Sequence, residues 1–133
     1  IVAPPGLALS QVSGFPVAPE RESPDQFHFT AQTTQPAETA VFLSVLSAYR
    51  LGDEARVPEA EALEGEGGRG VLLRRAGESA LIVWKLGDAE VARVADVESE
   101  AEVAVIRRDA TGAVVSVYSY GGRAVRVGGE SVN

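Results

Sequence analysis

The residue best suited to proton transfer in this chain is His28, the one histidine, in the stretch "QFHFTAQ" at residues 26–32. Imidazole titrates near neutral pH and is the commonest general acid or base. It needs a second group, either a Ser or Cys to activate or a carboxylate to orient it. The chain has no cysteine and no Gly-x-Ser-x-Gly elbow. A single histidine also excludes His-Glu-x-x-His and other multi-histidine metal sites. The absence of cysteine excludes disulfides, thiolate zinc sites and thiol nucleophiles. No catalytic residue is therefore assigned. His28 reads as a polar side chain on the solvent or interface face of a strand, and with Gln26 it forms the candidate substrate contact.

Other features resolve in favour of structure. The acidic runs "GDEARVPEAEALEGEG" and "DVESEAE" lack the convergent spacing of a calcium loop and read as solvated loops. No metal site is expected. "GEGGRG" does not lead from a strand into a helix as phosphate-binding loops do, so no nucleotide cofactor is expected. Trp84 shares parity with Ala80 and Ile82, which places it in the core. Tyr118 and Tyr120 share parity with Val114 and Ser116 and read as packing residues.

These side chains need strands to hold them. Residues 26–32 alternate, with Phe27, Phe29 and Ala31 on one face, expected inward, and Gln26, His28, Thr30 and Gln32 on the other. "LALSQV" is a short strand, and "PERESPDQ" a charged loop. "AVFLSVLSAY" at residues 40–49 is apolar on both parities and is expected as a central strand. A short strand is expected near Ala62 and Leu63, and another over residues 91–97. "GVLLRRA" and "SALIVWK" flank a Gly77-Glu78 turn. "EVAVIRRD", "AVVSVYSY" and "RAVRV" read as three successive antiparallel strands. Their turns are Asp109 to Gly112, with Gly112 left-handed, and Gly121-Gly122. The sum is an all-β, antiparallel β-sandwich of about eight or nine strands, taken as a single domain over 1–133.

Composition narrows the partners. With 45% hydrophobic residues the chain can build a real core. Its net charge is −7, from 19 acidic and 12 basic residues, which steers it away from nucleic acid and anionic membranes. A polyanionic ligand would need a local cluster, around Arg74-Arg75 or Arg107-Arg108. No apolar run approaches a membrane span. The start "IVAPP", together with the lack of methionine, leads us to expect a fragment or processed domain of a longer protein.

The run "QFHFTAQTTQPAETAVFLSVLSAYRLGDEA", then "EGEGGRGVLL" and "VIRRDATGAVVSVYSYGGRAVRV", resembles the C-terminal β region of heparinase II/III-like polysaccharide lyases. Phe42, Leu43, Val45, Leu46, Tyr49, Arg50 and Gly52 carry the match, with Asp109, Gly112 and Gly122 downstream. Such lyases join an (α/α) toroid to an antiparallel β-sandwich and cleave uronate-containing polysaccharides by β-elimination. Their catalytic Tyr and His lie on the toroid, so the resemblance assigns no catalytic residue here.

The resemblance implies a noncatalytic β-sandwich that supports the toroid and helps wall the polysaccharide cleft. Its partners would be that helical toroid domain and a uronate-containing polysaccharide, outside the cell or in the periplasm. It also implies a face or edge too apolar or too unpaired for a free monomer. The alternative is a stand-alone carbohydrate-binding or Ig-like adhesion module, with an exposed site around Tyr118, Tyr120 or Trp84.

Overall fold

The computed structural model describes residues 6–14, 26–122 and 124–132. The chain packs as two compact units, one over Ala3–Ser44 and the other over Val45–Asn133. The first unit carries a two-stranded antiparallel ribbon, β1 (Leu7–Ser13) against β2 (Phe27–Thr33). Residues 19–25 of the charged "PERESPDQ" stretch lie outside the described residues.

The second unit is an antiparallel β-sandwich of nine strands. A five-stranded sheet has the order β3 (Glu59–Gly65), β4 (Gly68–Arg75), β5 (Glu78–Lys85), β8 (Val103–Arg108), β9 (Val114–Tyr120), so β3 and β9 are its edges. A four-stranded sheet of short strands has the order β11 (Glu130–Ser131), β10 (Val125–Val127), β7 (Val97–Ser99), β6 (Ala92–Val94). Each sheet turns one face inward. Leu81 and Val83 of β5 and Ala104 and Ile106 of β8 meet Ala92, Val94, Val97 and Val125 of the smaller sheet in one buried cluster. This interior is the apolar burial that holds the two layers together.

Glycines let the sheets approach. In "GEGGRG", Gly65, Gly68 and Gly70 share the inner face of the β3–β4 hairpin, and β6 crosses directly over them. A Cβ on Gly65 would lie 1.9 Å from the Arg93 carbonyl oxygen. One on Gly68 would lie 2.7 Å from Ala92 Cβ, and one on Gly70 2.9 Å from Val94 Cγ1. The motif is a packing surface for β6. Arg108, facing the same side, adds a polar tie: its Nη2 donates to Asp96 Oδ1 at 3.0 Å and Oδ2 at 2.8 Å.

Several sequence expectations shift. Residues 40–49 form no strand, although Leu43 makes a lone bridge. A strand apolar on both faces needs a covering layer on each side, and residues 40–49 join none of the sheets that would supply one. Leu46 accordingly stands 97% exposed. The β4–β5 turn is centred on Ala76-Gly77, one residue earlier than read, with φ of 50° and 84°. The single strand expected over 91–97 is the hairpin β6–β7. Gly121-Gly122 is a corner between sheets, since β10 pairs with β7 and β11 and not with β9. A Cβ on Gly122 would sit 2.3 Å from Ala101 Cα, so the chain passes there only without a side chain. Gly112 is left-handed as expected, with φ 85°.

Candidate functional site

In the first unit, the β1–β2 register confirms the sequence parity. His28 lies opposite Val12, on the face that also carries Thr30 and Gln32. Gln26 immediately precedes β2, and its carbonyl accepts from Gly14 N at 2.8 Å. Neither face is buried as a whole: Ala31 on the phenylalanine face is half-buried, and Thr30 and Gln32 on the other are exposed. Phe27 and Phe29 are 63% and 55% exposed, whereas His28 is half-buried. Its Nε2 is shielded from solvent and has no hydrogen-bond partner among the described residues. Strand alternation identifies the two faces of the ribbon without saying which is covered.

In the second unit, strand alternation splits each arginine doublet. Arg74 and Arg108 point to the inner side and are engaged, Arg74 by Glu61 at 2.6 Å and Arg108 by Asp96. Arg75 and Arg107 point to the outer face. Both are exposed, and neither forms an ion pair among the described residues. The register places Arg107 opposite Ala80, which lies opposite Leu73, two residues from Arg75. Both arginines line one depression of about 170 Å³ with Pro58, Leu73, Ala80 and Glu78, the last directly opposite Arg75.

Two further grooves share Arg75. One of about 610 Å³ adds Arg50 and Arg56, the latter loosely paired with Asp53 at 3.8 Å. The other, of about 550 Å³, runs along the β4–β5 and β8–β9 turns and includes Glu59, Glu78 and Asp109 as well as Arg74. The arrangement is a rim of arginines, partly balanced by carboxylates, at one end of the larger sheet. It can hold an extended anion by charge-assisted hydrogen bonds.

The Asp109 carboxylate serves its own turn. Its Oδ1 accepts from Thr111 Oγ1 at 2.6 Å, Thr111 N at 2.9 Å and Ala113 N at 3.1 Å. The Thr111 hydroxyl, followed by backbone N–H groups, holds this carboxyl below its ordinary pKa.

The rest of the outer face is apolar and aromatic. Direct cross-strand partners form rows: Arg69, Trp84, Val103, Tyr120; then Val71, Ile82, Val105, Tyr118; then Leu73, Ala80, Arg107, Ser116. Trp84, expected in the core, is half-buried on this face, because the core takes Leu81 and Val83 of the other parity. Tyr118 and Tyr120, read as packing, are 63% and 61% exposed. Both parities of "SALIVWK" are apolar, so sequence alone could not choose the inner one.

The doublets Arg74-Arg75 and Arg107-Arg108 were the visible signal for the cationic rim. Arg50 and Arg56 carried no such signal, because they come from irregular chain and a one-turn 3-10 helix at Glu54–Arg56. Among the described residues no group of three His, Asp or Glu side chains is placed to hold a metal ion. No described helix is long and apolar enough to cross a membrane. No family model matches the chain, and no curated protein matches its sequence.

Proposed function

We propose that this chain is a noncatalytic β-sandwich domain of a heparinase II/III-like polysaccharide lyase, holding uronate-containing polysaccharide while a helical toroid domain performs the β-elimination. The observation that carries this reading is the pair Arg75 and Arg107. In a chain of net charge −7, two exposed arginines share one face without an ion-pair partner among the described residues. Guanidinium groups suit carboxylates, which uronates present along their length. The uncharged edge strand β9 also fits a domain that rests against another part of a larger protein.

Calorimetric titration with heparin, alginate and polygalacturonate oligosaccharides tests the proposal. Binding is expected to at least one, weakening with salt and falling at least tenfold in R75A/R107A, since a charge-assisted hydrogen bond contributes about 1.5–3 kcal/mol. Silence across all three would sink it.

The exposure of Tyr118 and Tyr120 favours a second reading, a stand-alone carbohydrate-binding module. That module would bind neutral glycans through ring stacking with little salt dependence.

A further inference from the structure

We infer that Tyr120, Tyr118 and Arg107 form a single track for an extended acidic glycan, in which two sugar rings stack on the tyrosines and the carboxylate of a neighbouring uronate meets the guanidinium; the inference rests on the polysaccharide-holding role proposed above. Tyr118 and Tyr120 are alternate residues of β9, so both face outward and stand about 7 Å apart along the strand. Arg107 lies opposite Ser116, the residue two before Tyr118 on the same face. That makes Arg107 and Tyr118 diagonal neighbours, about 7–8 Å apart and within reach of one ligand. The three side chains thus follow one line across the outer face, continuing toward Arg75.

The chemistry of each position fits this occupant. Val103 and Val105 lie directly opposite the two tyrosines and give their rings an apolar floor. The tyrosines remain more than half exposed, so their ring faces are accessible. The CH-rich face of a pyranose stacks on such a ring, and phenol hydroxyls reach sugar hydroxyls at its edge. Arg69, the arginine in the Tyr120 row, is already engaged by Glu64 at 3.5 Å. Arg107 is therefore the cation left open beside the aromatic pair. A neutral partner leaves this charge unused, and a compact anion such as phosphate leaves both rings unused. An acidic glycan uses all three.

The test titrates the full chain and its Y118A, Y120A, Y118F/Y120F and R107A variants with the same oligouronate panel at several salt concentrations. Each Tyr→Ala change is expected to weaken binding about tenfold while preserving the salt slope. R107A is expected to weaken binding and flatten that slope. Y118F/Y120F retains most of the affinity, because it keeps the rings. An unchanged melting temperature shows that the variants fold. Wild-type binding that both Tyr→Ala variants retain overturns the track while leaving the arginine-based role standing. Absence of wild-type binding across the panel overturns both. Loss of self-association in the tyrosine variants, with glycan affinity intact, assigns the face to a second copy of the chain and also overturns the track.

Discussion

The packing of β6 on the glycines of the β3–β4 hairpin makes a quantitative prediction through Gly70→Ala. The new methyl would lie 2.9 Å from Val94 Cγ1, 3.1 Å from the Ile82 carbonyl oxygen and 3.3 Å from Leu81 Cδ1. Carbon atoms prefer about 3.5–4.0 Å, so the sheets must part locally by about half an ångström or more. Overpacking of this kind costs about 1–3 kcal/mol. Val94→Ala is the matched change. Val94 is fully buried, and removing two methyls costs about 1.6 kcal/mol in transfer plus a cavity term, about 2–3 kcal/mol together.

Together the two changes relieve each other, because the alanine methyl at 70 enters space that Val94 Cγ1 vacates. The double variant should be more stable than the sum of the single losses by about 1 kcal/mol. Urea unfolding followed by Trp84 fluorescence reads the second unit, where the one tryptophan lies. A coupling of that size moves the midpoint by roughly 0.5 M at ordinary slopes. Losses that simply add, to within about 0.5 kcal/mol, would show that Val94 does not sit over Gly70.

Two further outcomes follow from sites already described. His28→Ala should change stability by about half a kcal/mol or less, and His28→Phe should match or exceed wild type, because it removes a shielded nitrogen that has no partner among the described residues. A loss of more than about 1 kcal/mol in thermal unfolding for His28→Phe would reveal a polar partner. Because the Asp109 pKa is lowered in the fold, its carboxylate contributes stability that is present above the ordinary Asp value of about 3.9 and lost as pH falls through the folded value. Thr111→Val removes the largest cause and should move the Asp109 titration upward in a carboxyl NMR experiment; an unmoved titration would transfer the credit to the backbone.

How much the sequence disclosed depended on whether the deciding interactions were local. The turn at Asp109 was legible because one carboxylate and one left-handed glycine build it within five residues. The alternation over residues 26–32 gave the correct two faces, since period two is a property of the strand itself. What lay beyond reach was set by distant partners. Whether Gly121-Gly122 turns back or crosses over depends on Ala101, about twenty residues earlier in the chain, whose backbone fills the space beside Gly122. The apolar run at 40–49 offered two good faces, but it joins neither sheet of the sandwich. The arginine doublets were visible, and alternation alone says that each sends one side chain to either face. Only the positions of Asp96 and Glu61 tell which of the two is engaged.

The two edges of the larger sheet are unlike each other. β3 carries Glu59, Glu61 and Glu64, all exposed, whereas β9 reads "VVSVYSY", without charge or proline. Like charges deter strand addition at the first and nothing deters it at the second. Fibre growth needs a head that accepts and a tail that offers, and this sheet has two ends of which only one is receptive. Two copies meeting β9 to β9 would bury both receptive ends and present only glutamates outward. Edge addition to this sheet therefore terminates at a closed pair rather than running on as a filament.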